Sequence, residues 1–268
     1  MEKSTKHEQV YPRSTVPYSE AVKEIDAAIS KMPDPSPDLW MKRAAALTEQ
    51  NMIREAIDSL SHGIAIDPFC GILYRWRAHR YLNCGEIEQA CADFTIASRL
   101  IPENWSVWYH LGLSYVLMGE FDHAAYAYEK CWTMPTTVPR PVALTNWTWI
   151  TYKNLGENEK AEKLLEKISA DLNAGGNIGY LYMCLLYKGE LSIEDIVAKS
   201  NAYQEEGDPV SAITQSFGLA NYYCVQKDWA KYEETLTAIL KMGEEDNDGW
   251  RCFGYQGARY WRTKANRT

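Results

Sequence analysis

Between Gly71 and Thr136 apolar side chains recur at steps of three and four, the period of a helix with one buried face, and the pattern is written twice. Leu111 and Tyr115 share a face of one predicted helix, Ala124 and Tyr128 share a face of the next, and Gly119 lies between. Tyr81, Gly85, Ala90, Phe94 and Ala97 are answered by Tyr115, Gly119, Ala124, Tyr128 and Cys131, each 34 residues further on. A fixed period of this length marks a stacked repeat. Small residues at Gly112 and Ala124 let the two helices of a unit approach closely. Gly119 suits the left-handed turn that ends the first helix, and Glu120 places a negative charge at the start of the second. Each unit is therefore a helical hairpin. One hairpin cannot bury both its apolar faces, so stability has to come from stacked neighbours.

The pattern extends in both directions. Residues 1–17 carry no helical period and read as a flexible or loosely docked N-terminal arm, and 18–35 read as the second half of a repeat, with Ala21, Ile25 and Ala28 on one face. Full repeats follow at 37–70, 71–104, 105–138, 142–174, 175–209 and 210–246, in a single solenoid domain over 18–268. Ser36 before Pro37 predicts a side-chain cap and a helix start. Asn51 stands at the turn where later copies have Gly. Ala161 follows Ala124 by 37 residues, and the extra length falls in the proline-rich link 134–141. Repeat five is worn, its second helix beginning at Ser192 with Asp195 three residues on. A last helix over 248–264 places Trp250, Phe253, Gly254, Gly257 and Trp261 on one face and Arg251, Arg259, Arg262 and Lys264 on the other, the pattern of a solvent-facing cap. The sum is an all-α chain of about thirteen or fourteen helices without a sheet.

Trp108, Leu111, Gly112, Tyr115, Ala124 and Tyr128, with Pro135 beyond, closely resemble the tetratricopeptide pattern W-x2-L-G-x2-Y…A-x3-F…P. The resemblance runs over roughly 19–264, is most specific for 37–134, and is weakest in repeat five and at both ends. It implies a right-handed α-solenoid whose first helices line a concave, peptide-binding face. By the family's inward-facing places that face takes Ile72, Arg75 and His79 from repeat two, then Tyr109, Leu113 and Val116 from repeat three. Asn146, Ile150 and Lys153 follow from repeat four, Met183 and Tyr187 from repeat five, and Phe217 and Asn221 from repeat six. The lining is mainly apolar and aromatic, which suits an apolar or amphipathic segment of a partner. The alternative is a face already covered by the chain's own ends. The family's carboxylate clamp is not matched, since its places hold Met41, Ala45, Trp76, Ser106 and His110.

Arg43 and Arg77 occupy equivalent places of adjacent first helices, where repeat three has Leu111. Together they could hold a carboxylate or phosphate. Alternatively each pairs with an acidic residue of a second helix, such as Glu55, Asp58 or Asp93. His79 and His110 come from neighbouring first helices and can approach each other, but no zinc spacing, nucleophile elbow or phosphate-cradling loop accompanies them. No enzyme activity, metal or cofactor is expected.

With 46% hydrophobic and 24% charged residues the composition is that of a folded protein, and its 18 Tyr and 10 Trp are ring-rich. The net charge of −8 disfavours nucleic acid and anionic membranes and tolerates a basic partner. Neither a secretory leader in residues 1–10 nor a membrane span is legible, and the seven scattered cysteines fit reduced thiols, so a cytoplasmic location is expected. The leading reading is a protein-binding adaptor. A peptide- or ligand-sensing regulatory module and a self-assembling structural scaffold are the alternatives.

Overall fold

The computed structural model describes residues 11–135, 141–245 and 252–265. Among them the chain forms fourteen α-helices and no strand. After α1 (Glu20–Ser30) come the hairpins α2–α3 (Pro37–Glu49, Ile53–Ile66), α4–α5 (Gly71–Cys84, Ile87–Leu100) and α6–α7 (Trp105–Met118, Phe121–Thr133). They continue as α8–α9 (Pro141–Asn154, Asn158–Leu165), α10–α11 (Ile178–Lys188, Ile193–Glu205) and α12–α13 (Pro209–Gln226, Trp229–Glu245). A closing helix, α14, spans Phe253–Ala265. The expected all-helical solenoid of hairpins is what the chain forms.

The hairpins close in one way. The residue that ends the turn of each first helix has positive φ, as at Gly119 (78°), and at two places a non-glycine takes it, Asn51 (62°) and Lys227 (59°). The next amide then bonds to the carbonyl five residues back, Glu120 to Tyr115 at 2.9 Å, Met52 to Leu47 at 2.9 Å and Asp228 to Tyr223 at 3.0 Å. That bond satisfies a carbonyl the helix leaves unpaired and fixes the direction of the second helix. Starts are more varied. Ser192 and Asp195 form a reciprocal capping box at α11. Ser36, expected to cap α2 with its side chain, does not, and Pro37 with its preset φ stands at the helix start instead.

Successive helices pack in order along the chain. Ala56, Ala90, Ala124 and Ala161, the repeating alanines, are fully buried where second helices cross first ones. Gly112 is small for the same reason, since a Cβ there would land in the ring of Tyr128.

Both ends are held more tightly than expected. Residues 11–17 are not a free arm: Arg54 donates to the Tyr11 carbonyl (2.9 Å), the Ser14 amide donates to Glu55 (3.1 Å), and Arg13 pairs with Asp58 (2.7 Å). The acidic face of α3 holds the segment down. Positions 1–10, and 136–140 of the proline-rich link, lie outside the described residues. The second difference is larger. The expected solvent-facing cap is instead a buried helix, with Tyr255, Gln256 and Ala258 fully enclosed, and it packs against α4, α6, α12 and α13. Trp250 and Arg251 of the predicted cap lie outside the described residues.

Candidate helix-binding face

The first helices of repeats two, three and six face a common space, and α14 occupies it. Two glycines bring it in. A Cβ on Gly257 would stand 2.5 Å from the Phe217 ring and 2.8 Å from Leu117, and one on Gly254 would stand 2.9 Å from Phe217. Only a helix bare at those two positions can lie this close to α12 and α6. Trp261 then stacks on Phe217 at 4.8 Å between ring centroids and donates from Nε1 to the Leu117 carbonyl at 2.9 Å. Phe253 meets the edge of His79 at 5.1 Å. Polar contacts mark the rim: the Tyr260 hydroxyl donates to Glu88 (2.6 Å), and Arg262 lies 3.1 Å from both Glu233 and Thr237.

The residues expected to floor an open groove are placed as follows. Leu113, Val116, Asn146, Ile150, Met183, Tyr187, Phe217 and Asn221 are buried, while Ile72, Arg75, His79, Tyr109 and Lys153 are half-buried. They do not line an open floor. Phe217 faces α14 directly, whereas several others are taken up by neighbouring first helices. Met183 lies against Gly218 of α12, and Asn146 accepts a hydrogen bond from Tyr187 at 2.9 Å, with Tyr187 stacked on Trp149 at 3.7 Å. Asn221 donates to its own helix, to the Phe217 carbonyl. Lys153 reaches outward, 3.5 Å from Glu162. The covered-face alternative therefore describes the closed chain.

Arg43 and Arg77 do not present a shared anion site. Arg77 makes a two-pronged contact with Asp93 (2.7 and 2.8 Å) and donates to Ser61 (3.0 Å). Arg43 pairs with Asp26 (2.5 Å) and donates to Ser59 (2.7 Å). Each guanidinium is a rivet between consecutive second helices, its charge met from within the chain.

His79 and His110 do meet, ring centroids 4.9 Å apart. Their hydrogen bonds fix their forms. Arg80 can only donate, so its 2.6 Å contact makes His79 Nδ1 an acceptor, while His110 Nδ1 lies 2.6 Å from the Ser106 carbonyl and must carry the proton. Burial, with Arg75 and Arg80 nearby, holds His79 well below the ordinary histidine range, and burial pulls His110 down to about 4. Both are neutral at pH 7. Burial pushes the Cys84 and Cys184 thiols up to about 12, so neither is a ready nucleophile. Among the described residues no group of three His, Cys, Asp or Glu is placed to hold a metal.

A cavity of about 240 Å³ is bounded by Asn83, Asn146, Trp147, Tyr180, Phe217 and Phe253. A wider pocket of about 420 Å³ opens between α2 and α4, lined by Thr48, Glu49, Arg75, Trp76, His79 and Arg80. Arg75 there donates to Ser106 (2.9 Å). The sequence pattern named Phe253 and Trp261 as the apolar face of an end cap, not as occupants of the space among the first helices, and it left out Tyr255 and Tyr260. Its available signal was the pair Gly254 and Gly257, three apart on one face, which marks close approach to another backbone rather than exposure.

The fold and this face define a class, the α-solenoids of stacked helical hairpins. Residues 106–134, nearly all of α6 and α7, match the sequence model of the tetratricopeptide repeat, so the third hairpin carries that repeat and the hairpins on either side share its fold. The chain is 25% identical over 95 residues to anaphase-promoting complex subunit 3 of Schizosaccharomyces pombe, covering 35% of this chain and 14% of that protein. It is 39% identical over 66 residues to the DnaJ homolog subfamily C member 7 homolog of Dictyostelium discoideum, covering 25% of this chain and 12% of that protein. The matched segments thus span a small part of these relatives' length. In structure it is similar to a tetratricopeptide repeat protein from Parabacteroides merdae, with a TM-score of 0.52, 15% identity, and coverage of 88% of this chain and 91% of that one. This last likeness is one of fold. Among the described residues no helix is long and apolar enough to cross a membrane.

Proposed function

We propose that this protein is a non-enzymatic interaction scaffold, an adaptor that takes an amphipathic helical segment of another protein against the first helices of its repeats. The observation that carries this reading is α14. Thirteen residues of helix lie against four other helices through two aromatic side chains, two glycines and a polar rim. A surface able to seat that helix has the shape, apolar floor and hydrogen-bonding rim that recognition of a helix in a groove requires. The S. pombe relative is, by its name, a subunit of a multiprotein complex, which accords with the reading. The proposed contact residues are those of the sequence-derived face that touch α14, Phe217 and His79, joined by Leu117 of α6.

The test is affinity capture of the tagged full chain from its native cell, followed by reconstitution of the purified pair and titration calorimetry. One protein recovered at near-stoichiometric level and rebinding when pure is the expected result. Failure to recover any such protein would overturn the scaffold reading.

A further inference from the structure

The helix α14 is built like a ligand in sequence as well as in position. Of the 28 Lys and Arg residues five, Arg251, Arg259, Arg262, Lys264 and Arg267, fall within 251–268, where no Asp or Glu occurs. The rest of the chain is therefore more acidic than the net charge of −8 suggests, and the rim reflects it, with Glu88 and Glu233 meeting Tyr260 and Arg262. Charge of opposite sign on segment and scaffold speeds encounter and selects partners. The fit itself is set by absent side chains, Gly254 and Gly257 against Phe217 and Leu117, and by one large side chain, Trp261, that stacks and donates a hydrogen bond at once.

We infer that α14 is an internal competitor, and that the partner's segment is a basic amphipathic helix carrying two glycines three residues apart and an aromatic residue four after the second. Such a helix would take the α14 seat once α14 leaves it. Resting on the scaffold reading, this assigns the partner's chemistry and its control: the tethered helix sets a threshold that an outside helix must exceed. The competitor is held at a high local concentration by its covalent tether, so an outside helix of equal intrinsic fit binds the closed chain weakly.

The test uses the full chain and a fluorescein-labelled peptide of residues 252–265, followed by fluorescence anisotropy. In the full chain Gly257→Leu drives a side chain into Leu117 and Phe217 and unseats the resident helix. The variant is expected to bind the unaltered peptide at least about tenfold more tightly than the wild-type chain does, because the internal competitor is gone. A peptide carrying the same Gly257→Leu change should bind neither chain. Equal binding to both chains, or no binding to either while circular dichroism shows both helical, would overturn the inference and leave α14 as permanent core. If Gly257→Leu loses its helical signal, Arg262→Glu replaces it, since that change sets like charge against Glu233 at the rim. It should raise peptide affinity in the same direction by a smaller factor, and no gain overturns the inference. A cellular partner that binds wild type and Gly257→Leu alike would keep the scaffold reading and remove this one. Peptide exchange without any cellular partner would remove the scaffold reading and the partner assignment with it, and leave α14 only as a displaceable helix.

Discussion

Arg43 and Arg77 stand one repeat apart and do the same work with mirrored partners. Arg43 has its carboxylate behind it, Asp26 of α1, and a serine ahead, Ser59; Arg77 has the serine behind, Ser61, and the carboxylate ahead, Asp93. Spacing alone places Asp93 within reach of Arg77, but Asp26 belongs to a half repeat whose register against α2 no internal copy defines. The pairs differ in burial: the Asp93 side chain is 6% exposed and that of Asp26 38%. The guanidiniums themselves are similarly enclosed, 14% exposed for Arg43 and 18% for Arg77, so each alanine variant strands one. Asp93→Ala should lower stability by about 3–5 kcal/mol and Asp26→Ala by less, about 1–3 kcal/mol, because water already reaches the Asp26 side of its pair. Urea unfolding of the two variants checks this, and equal losses would contradict it. The histidine pair supplies a pH dependence. His110, held at about 4, stays neutral in the fold where the unfolded chain takes up a proton from about pH 6.5 downward. The unfolded state then binds more protons, so stability is full above that pH and falls as the pH drops towards 4, by about 1.4 kcal/mol per unit for each histidine kept neutral. His79, shifted the same way, adds to the slope. Replacing both with Gln should flatten the profile between about pH 6.5 and 5 in urea titrations.

At the scale of the helix and its turn the sequence is most legible, because everything that decides a hairpin lies within one repeat. The period, the buried alanines and the left-handed turn are local, and Asn51 reveals its turn because asparagine is among the few residues besides glycine that visit positive φ readily. Lys227 is the less readable case. It holds φ at 59° without the shape or the side-chain bonding that would advertise it, and only the phase of the repeats places it there. A clean comparison follows. A Cβ on Gly119 would meet nothing within 4 Å, so Gly119→Ala registers conformational strain alone and should lower stability by about 1 kcal/mol. Lys227→Gly relieves the same strain and should raise stability, by somewhat less than about 1 kcal/mol because glycine adds freedom to the unfolded chain. Paired chemical denaturation curves measure both, and a loss at Lys227→Gly would show that its side chain has a role the backbone does not explain.

On the scale of the whole molecule the sequence is least informative, and the reason is geometric. A repeat pattern specifies how each hairpin meets the next, but the curvature accumulated over six hairpins, across a 37-residue step and a worn fifth repeat, decides which distant helices face each other. The last helix illustrates this: its apolar and basic faces are evident in the chain, yet whether it caps the sixth repeat or enters the space among the second, third and sixth depends on that sum. In a linear solenoid, contacts join neighbours only, and removing the end helix would expose α12 and α13 and fray the C-terminal repeats first. Here α14 also packs on α4 and α6, and Trp261 is bonded to Leu117, 144 residues away. The chain is thus closed between its second and sixth repeats, and cutting it before α14 breaks a bridge rather than a cap. Removal of residues 248–268 should accordingly expose Leu117, Phe217 and His79 together, and deprotect α4 and α6 as well as α12 and α13 in hydrogen exchange. The α2–α3 hairpin, which is not among the helices α14 chiefly packs against, should keep its protection, being held by Arg43, Arg54 and the docked segment from Tyr11. Mass-spectrometric exchange, resolved by peptide and compared with the full chain, reads this pattern directly. Deprotection limited to α12 and α13 would mean that the second and third repeats do not depend on the closing helix, and that its contacts with them contribute little to the fold.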